Sequence, residues 1–305
     1  MLIRNEFDIR FSMPVDTSMV AMLHVHPSLE GALCTSDDLV VECGEGVHAR
    51  RIVPEDYTDC FGNRCARFQV AAGVLRLSGG NLMEIAERPD PQPEEAEQHA
   101  VKDLPTAVLQ YLLASRYCEV DRFGAIATDL FGYLPPGGAR AMAIRDWVHD
   151  KVRFDYSKAR ATKTAMDVYT EREGVCRDFQ HLAVTLSRAM NIPARYVTGY
   201  LGDIRVPYAG AGDFSAWYQV WLDGRWWDMD ARHNTPRLGR VLMAAGRDAA
   251  DVAITTSFGV ANLTRFFVES NEVDALGTPV PLPQKGSSAG NVEDARVRPV
   301  HALVA

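Results

Sequence analysis

The sequence predicts an α+β protein, in which a strand-rich region precedes a region that mixes helices with further strands. From residue 1 to residue 88, short runs with apolar side chains at every second position are separated by Gly, Asp and Asn. This period of two is typical of half-buried strands, and several short strands with frequent turns indicate a small β-sandwich. Beyond residue 105, apolar side chains recur every three or four positions, which indicates amphipathic helices.

The order of these patterns predicts how the chain is divided. The first strand is clear because Phe7, Ile9 and Phe11 alternate with polar and charged residues. Prolines and acidic residues then indicate a linker, and a stretch rich in Pro, Gly and Ser near the end indicates a flexible segment. We therefore predict four regions: a β-sandwich domain (1–88), a linker (89–104), a second domain (105–270) and a flexible C-terminal tail (271–305).

Three helical segments are predicted to follow the linker. The first begins behind Asp103 and Pro105, and Asp121 is in position to cap the second. A Leu-Pro-Pro-Gly-Gly run over residues 134–138 then interrupts the chain, because proline and glycine do not sustain a helix. The third segment runs through residues 142–151.

Composition limits the partners that the protein can have. The 305 residues are 47% hydrophobic, as in soluble globular proteins, and the net charge of −8 argues against binding nucleic acid or anionic membranes. No apolar run approaches the ~20 residues of a membrane span, and no signal-peptide pattern is visible, so we expect a cytoplasmic protein. No P-loop, dinucleotide fingerprint or zinc motif is present, and we expect neither a metal nor another cofactor. The oligomeric state cannot be predicted.

One cysteine lies where a helix is predicted to begin. Apolar side chains at helical spacing follow Cys176 until Asn191 and Pro193 end the segment. The first N–H groups of a helix lack intrahelical partners and the helix dipole is positive there, so this position favours a thiolate and can bind an oxyanion. A cysteine packed as a small hydrophobic residue is the alternative. The other five cysteines are expected to be buried structural thiols: Cys34, Cys43, Cys60, Cys65 and Cys118.

The stretch around this cysteine resembles the nucleophile motif of bacterial transglutaminase-like proteins, a papain-related cysteine protease family. Residues 174–182 read Gly-Val-Cys-Arg-Asp-Phe-Gln-His-Leu, and the family pattern is Gly-Val-Cys-(Arg/Gln)-Asp-Phe-Ala-His-Leu. Residues 192–200, Ile-Pro-Ala-Arg-Tyr-Val-Thr-Gly-Tyr, resemble the strand that follows in the family. Residues 217–222 and 224–230 resemble its last two active-site strands. The motifs stand in the family's order and spacing.

The resemblance implies a papain/transglutaminase-like core of helices and antiparallel sheet, with a Cys–His–Asp triad. It assigns the nucleophile to Cys176 and the acid to Asp230. The strand-rich N-terminal region also resembles the β-domain that precedes this core in many bacterial members. The implied chemistry is attack of Cys176 on a peptide or protein amide, followed by release of the acyl-thioester by water or by an amine. Hydrolysis is the expected outcome in bacterial relatives, although the sequence does not distinguish it from acyl transfer.

The histidine that the family uses as general base is missing from its usual place. The family has His-Ala-Trp where residues 215–217 read Ser-Ala-Trp. If residues 223–224 form a two-residue hairpin turn, Trp217 faces Asp230, and Ser215 is a diagonal neighbour of Asp230 on the same sheet face. Ser215 thus takes the base position, but a hydroxyl cannot accept a thiol proton near neutral pH.

Three explanations of this departure stay open. His233 could supply the imidazole, because it lies just past Asp230, although strand parity puts it on the opposite face. Alternatively, the domain has lost catalysis and only binds a peptide or amine partner. The third explanation is that position 215 was changed deliberately. His181 lies off the helix face of the thiol, and we expect it to be structural.

Two features predict how a substrate is bound. Trp217 lies on the expected active-site strand and could form a wall of a substrate groove, with core packing as the alternative. Arg232, Arg237 and Arg240 form a local basic cluster next to the expected site. Such a cluster suits a carboxylate-bearing substrate, such as a peptide end or a glutamate chain, unless these arginines are solvated surface residues.

Overall fold

The computed structural model describes residues 1–202, 204–207 and 212–283 of the chain. It is an α+β structure, as predicted, with two antiparallel sheets in a β-sandwich and a third antiparallel sheet covered by helices. In chain order the strands are β1 (Leu2–Met13), β2 (Thr17–Ala21), β3 (Asp38–Cys43), β4 (Arg50–Ile52), β5 (Glu55–Thr58), β6 (Arg64–Val70), β7 (Gly73–Glu84), β8 (Arg153–Phe154), β9 (Glu173–Gly174), β10 (Ala194–Tyr200), β11 (Phe214–Leu222), β12 (Arg225–Met229), β13 (Val241–Gly246), β14 (Thr255–Ser257) and β15 (Asn262–Val273). The helices are α1 (Thr106–Leu109), α2 (Gly124–Phe131), α3 (Gly138–Lys151), α4 (Ala165–Glu171) and α5 (Cys176–Ala189).

The first two sheets form the sandwich that the alternating pattern predicts. One sheet has the strand order β15–β1–β7–β3–β4, and the other has the order β14–β2–β6–β5. In β1, Phe7, Ile9 and Phe11 are buried, whereas the residues between them are more exposed. These side chains pack with apolar residues of β2, β6 and β7 in one core. Removing that apolar surface from water holds the two sheets together.

The last two strands join the sandwich and not the helical part of the chain. β15 pairs with β1 along almost the whole length of both strands, and β14 pairs with β2. This pairing covers an edge of β1 that would otherwise expose its backbone polar groups. The sequence analysis assigned residues 105–270 to the second domain and 271–305 to a tail. The strand pairing shows instead that β14 and β15, which end at Val273, belong to the sandwich. Residues 284–305 lie outside the described part.

The predicted linker is packed against the rest of the chain. The Asp90 carboxylate accepts a hydrogen bond from the backbone of Arg237 at 3.1 Å and one from the guanidinium of Arg240 at 2.6 Å. Ala96 is 6% exposed and belongs to the apolar core around α5. This proline-rich segment is therefore packed against the protein, and the prediction of a linker between two domains is wrong.

The helices before the thiol differ from the prediction at their first turns. α1 has four residues and continues as a 3₁₀ turn over Gln110–Leu112. Asp121 does not cap α2, because it lies in a 3₁₀ turn and Phe123 takes the cap position. α3 begins at Gly138, which is the last residue of the predicted interruption and lies before the predicted start at residue 142. Apolar spacing thus locates these helices, whereas the short-range bonds of the 3₁₀ turns set where they begin.

The third sheet carries the motifs that resemble the transglutaminase-like pattern. Its strand order is β12–β11–β10–β13, and α5 packs against the face that carries Tyr218. β11 and β12 form a hairpin with Leu222 opposite Arg225, so the predicted two-residue turn is confirmed. Both turn residues, Asp223 and Gly224, have positive φ angles, of 55° and 73°, as a type I′ turn requires.

Two further observations concern membranes and thiols. No helix in the described part of the chain is both long and apolar enough to cross a bilayer. All six cysteines are free thiols. Cys65 and Cys118 are buried as predicted, whereas Cys34 and Cys60 are exposed and Cys43 is partly exposed, so the prediction of burial is wrong for these three.

Candidate active site

Cys176 is the first residue of α5. The chain enters the helix through Val175, whose backbone N–H donates to the Asp178 carboxylate at 2.9 Å. Gly174 leaves room for that carboxylate, since a Cβ at this position would lie 2.6 Å from one of its oxygens. The Asp178 side chain therefore fixes the turn that presents Cys176 at the N-terminus of the helix.

The thiol lies in a largely buried environment. Cys176 is 8% exposed and belongs to an apolar cluster with Tyr196 and Ala216. Burial raises the pKa of the Cys176 thiol to about 11, although the Arg232 guanidinium and the Arg177 backbone N–H act in the opposite direction. The sequence predicts a helix end that favours thiolate, but desolvation outweighs it. The resting thiol is therefore protonated at neutral pH.

A carboxylate and an imidazole meet in the turn that follows β12. One oxygen of Asp230 accepts the backbone N–H groups of Arg232 and His233, at 3.0 and 3.1 Å. These bonds reverse the chain, so that Nδ1 of His233 lies 2.9 Å from the other oxygen of Asp230. Strand parity puts His233 on the opposite face, and that argument fails here because the chain has left the strand before residue 233.

Asp230 is held as an anion. Its side chain is 3% exposed, and burial acts to raise its pKa, but the hydrogen bond from His233 and the charge of Arg240 outweigh burial and hold the pKa well below its usual range. Arg240 donates to the same carboxylate oxygen as His233, at 3.1 Å. Because an ionised carboxylate only accepts, Nδ1 of His233 carries a proton, and in the neutral ring the lone pair is therefore on Nε2. His233 keeps 28% of its side chain exposed.

Gln180 links this pair to the helix that carries the thiol. It lies one turn beyond Cys176 and is fully buried. Its Nε2 donates to the Ala216 carbonyl and to Asp230, both at 3.2 Å, and its Oε1 accepts the Ala231 N–H at 3.2 Å. One amide thus joins α5, β11 and the turn after β12. Sequence reasoning missed this residue, although the family pattern has Ala at this position and the departure was a visible signal.

Trp217 has different surroundings from those predicted. The pairing of β11 with β12 ends at Tyr218, so Trp217 has no partner at position 230. Its indole N–H donates to Asp228 at 2.6 Å, and the side chain is 1% exposed. Trp217 is therefore a core residue in this structure, and the prediction that it forms a wall of a substrate groove is corrected.

Ser215 does not replace the family's histidine as a partner of Asp230. It is 8% exposed, pairs with Gly199 of β10 and shares a sheet face with Trp217. The next residue, Ala216, lies on the other face and belongs to the cluster around the thiol. Among the residues that the structure describes, no hydrogen bond joins Ser215 to Asp230. The predicted diagonal pair is not formed, because β12 has ended before it could form.

The three arginines that the sequence predicts as one cluster have separate surroundings. Arg240 is buried in ion pairs with two aspartates. Arg237 is 8% exposed and donates to a backbone carbonyl at 3.0 Å. Arg232 lies near Cys176, because its guanidinium carbon is 4.1 Å from the centre of the Phe154 ring and Phe154 packs against the apolar cluster that contains Cys176. Of the three, Arg232 is the arginine at the thiol.

Asp213 is a residue near the thiol that sequence reasoning missed. One of its carboxylate oxygens is buried without a hydrogen-bond partner among the described residues. Burial raises the pKa of Asp213 to about 7 and outweighs the backbone N–H of Phe214 and the charge of Arg232. Its charge also acts to raise the pKa of Cys176. Its place just before the Ser-Ala-Trp run was the signal that could have identified it.

His181 is structural, as predicted. Its ring stacks on Tyr117 with 4.9 Å between centroids, and Nε2 accepts the Ala249 N–H at 3.1 Å. Complete burial and the nearby Arg177 charge lower its pKa well below the usual range, so the ring is neutral.

The thiol and the imidazole lie on different elements, at the start of α5 and in the turn after β12. Within the described ranges, no hydrogen bond joins the Cys176 sulfur to the imidazole of His233. The same part of the chain contains no group of three or more His, Cys, Asp or Glu side chains arranged to hold a metal ion. The fold thus supplies a thiol at a helix N-terminus, an Asp–His pair in a turn, and Gln180 between them.

Comparisons with known proteins agree with this fold. Residues 125–231 match the model of the Transglutaminase-like superfamily, a range that includes Cys176 and Asp230. An uncharacterised protein of Mycobacterium leprae (strain TN) is 32% identical over 164 residues, which cover 52% of this chain and 57% of that protein. An uncharacterised protein of Mycobacterium bovis is 36% identical over 96 residues, or 28% of this chain and 31% of that protein. The chain therefore spans about half or less of the length of these curated relatives.

A solved structure extends the likeness to almost the whole chain. The crystal structure of a candidate cysteine protease from Cytophaga hutchinsonii matches with a TM-score of 0.73 and 29% identity, covering 93% of this chain and 94% of that one. The family match shows that residues 125–231, which include the start of the thiol-bearing helix, form a domain of the Transglutaminase-like superfamily. The alignment with the Cytophaga protein covers both the β-sandwich and this domain.

Proposed function

We propose that the chain is a cysteine-dependent peptidase or amidase, in which Cys176 attacks an amide carbonyl and His233 acts as the base. The observation that carries this proposal is the 2.9 Å contact between Nδ1 of His233 and the Asp230 carboxylate. A thiol, an imidazole and a carboxylate that orients the imidazole are the groups that thiol catalysis requires. The description of the Cytophaga protein as a candidate cysteine protease supports a peptide or protein amide as substrate.

In the proposed reaction, Nε2 of His233 takes the Cys176 proton while the sulfur bonds to the amide carbonyl carbon. Asp230 stabilises the resulting imidazolium, and the free N–H groups at the start of α5 bind the carbonyl oxygen as it gains negative charge. The imidazolium then gives its proton to the leaving amine as the C–N bond breaks, which leaves an acyl-thioester on Cys176. Water hydrolyses the thioester with the same base, and an amine in place of water would give acyl transfer.

The proposal requires the imidazole to approach the thiol when a substrate, or a small amide reagent such as iodoacetamide, occupies the site. In the free protein the pKa of Cys176 is raised to about 11 by burial, and no hydrogen bond joins the sulfur to His233 among the described residues. Catalytic hydrogen bonds often form only when substrate displaces water and closes the site. His233 stands on a turn with part of its ring in solvent, which leaves its Nε2 side open to such an approach.

The second candidate is a non-catalytic module that binds a peptide or an amine. Two observations favour it: Ser215 takes the family's base position, and burial suppresses ionisation of Cys176. On this reading, the Asp230–His233 pair stabilises the turn and has no role in proton transfer.

The alkylation rate of Cys176 as a function of pH separates the two candidates. The rate with iodoacetamide is measured by site-resolved mass spectrometry in the parent protein and in His233→Ala, and the exposed Cys34 and Cys60 serve as internal reference thiols. The enzyme proposal expects Cys176 to react faster than Cys34 at about pH 6–7, and expects His233→Ala to reduce this advantage by roughly tenfold or more. Reference-like behaviour of Cys176, unchanged by the substitution, would establish the binding module instead.

A further inference from the structure

The thiol site contains a cation that no carboxylate of the described chain neutralises by direct contact. Arg240 forms ion pairs with Asp90 and Asp230 at 2.6 and 3.1 Å. Arg232, by contrast, forms no ion pair within 4.0 Å among the residues that the structure describes. An unpaired guanidinium beside a reactive group is a binding feature for an anion, because its planar donors match a carboxylate.

The backbone and the side chain of Arg232 are both held in place. The backbone N–H donates to Asp230 at 3.0 Å, and the carbonyl oxygen lies 3.0 Å from Nδ1 of His149. The guanidinium lies over Phe154, with 4.1 Å between its carbon and the ring centre. Stacking on an aromatic ring leaves the in-plane N–H donors free and reduces the entropy that would be lost when they bind a ligand.

The guanidinium of Arg232 lies in the surroundings of the thiol, because Phe154, on which it stacks, packs against the apolar cluster that contains Cys176. The positive charge of Arg232 opposes the rise in the pKa of Cys176, and it also acts on Tyr156, whose side chain is 49% exposed. Asp213 is the carboxyl group that shares this environment, and burial raises its pKa to about 7, so it is only partly ionised at neutral pH. Tyr156 opens the same region to solvent. A ligand at Cys176 would therefore lie close to a guanidinium that no described carboxylate contacts directly.

We propose that Arg232 makes this site selective for substrates that carry a carboxylate next to the scissile amide. The carboxylate would belong either to an acidic side chain or to the C-terminus of a short peptide, since both present the same group to the guanidinium. The inference rests on the proposed role of Cys176 as the nucleophile. It assigns the substrate class, which the fold and the family do not.

The first test compares an anionic and a neutral alkylating agent of nearly the same size. The rates of iodoacetate and iodoacetamide at Cys176 are measured, and their ratio is divided by the ratio at Cys34. We expect this normalised ratio to be roughly tenfold above one, and to fall close to one in Arg232→Gln. Taking the ratio removes any effect of Arg232 on thiol ionisation, because both reagents react with the same thiolate. Arg225→Gln is the matched control, since the Arg225 guanidinium also stacks on an aromatic ring, that of Trp227 on the same strand.

The second test measures binding without chemistry. In Cys176→Ala, calorimetric titrations compare N-acetylglutamate amide with N-acetylglutamine amide, and N-acetylalanine with its amide. We expect at least one acid to bind about tenfold more tightly than its amide, and the pair that differs identifies the source of the carboxylate. Arg232→Gln should abolish the difference, and Arg225→Gln should keep it.

The outcomes separate this inference from the proposed function. If the pH profile of Cys176 depends on His233 but the reagent ratio is close to one and neither acid exceeds its amide, the enzyme proposal stands and anion selectivity is overturned. If the ratio and the acid preference depend on Arg232 while His233→Ala changes nothing, the anion site is real and the catalytic proposal fails. A ratio that survives Arg232→Gln would assign the attraction to another cation and overturn the role of Arg232.

Discussion

The Gln180 amide nitrogen lies 3.2 Å from the Asp230 carboxylate and connects the helix of the thiol to the turn of the imidazole. The same side chain also donates to the backbone carbonyl of Ala216 and accepts from the backbone N–H of Ala231. Gln180 is fully buried, so each of these polar groups would lose its partner if the amide were removed. Gln180, which stands where the family pattern has Ala, therefore links the helix of Cys176 to the turn of His233.

Replacement of Gln180 by Ala should therefore affect both stability and reactivity. We expect a loss of about 2–3 kcal/mol in the free energy of unfolding, measured by urea denaturation, because three buried polar groups lose partners. We also expect the His233-dependent part of the Cys176 pH profile to disappear. Gln98→Ala is a matched control, since Gln98 donates to the carbonyls of Met190 and Asn191 at the other end of the helix. Loss of stability in both variants with an unchanged profile in both would show that Gln180 has no positioning role.

Asp230→Asn tests the charge of the buried carboxylate. The pKa of Asp230 is held well below its unfolded value, so its contribution to stability is present above about pH 4 and is lost as the pH falls further. We expect the variant to lose roughly 3 kcal/mol at about pH 7, since Arg240 stays buried without this partner. The loss should shrink below about pH 4, because the carboxylate of the unfolded parent then becomes protonated while the folded one stays ionised. Asp129→Asn, at an exposed position of α2, should change little.

Asp213→Asn tests the opposite case, a carboxyl group whose pKa is raised. The folded state holds the Asp213 proton up to about pH 7, so this group makes stability fall as the pH rises from about 4 to about 7. We expect Asp213→Asn to be more stable than the parent by roughly 1–3 kcal/mol at about pH 8, and equal to it near pH 4. Thermal unfolding at several pH values measures the difference. A constant difference across this range would show that Asp213 is ionised throughout.

Ser215→His restores the residue that the family pattern has at this position. We expect it not to activate Cys176. The Asp230 carboxylate is already bonded to His233 and Arg240, and Ser215 lies on the sheet face that carries the buried Trp217. The larger ring should cost about 1–3 kcal/mol through overpacking. Iodoacetamide reactivity at Cys176 is the measurement. A tenfold gain in reactivity would show that position 215 retains its place in the triad and that His233 is dispensable.

Local sequence patterns predicted the elements that depend on near neighbours. The alternation of Phe7, Ile9 and Phe11 identified β1, and the Asp-Gly pair at 223–224 identified the β11–β12 hairpin. Both are determined by burial and backbone preferences within a few residues. The start of α5 at Cys176 follows for the same reason.

The parts that could not be predicted depend on bonds between distant or irregular segments. Pairing of β15 with β1 joins residues about 260 positions apart, which no local pattern encodes. The contact between His233 and Asp230 depends on a turn after the strand, in which two backbone N–H groups donate to the Asp230 carboxylate. Strand parity does not apply in such a turn. Gln180 was hidden for a related reason, since its partners come from three separate segments.

The position of β14 and β15 determines how the core is attached to the sandwich. The chain leaves the sandwich after β7, builds the core, and returns to it through both strands, so two crossings and not one hold the core in place. Tyr200, Phe214 and Val241 of the core also pack within the apolar interior of the sandwich. Because this unit is joined to the sandwich at both ends and shares its apolar interior, we expect that it neither moves as a separate body nor folds when it is excised. Any opening that admits a substrate must therefore come from loops and side chains around Cys176, and not from a hinge between two bodies.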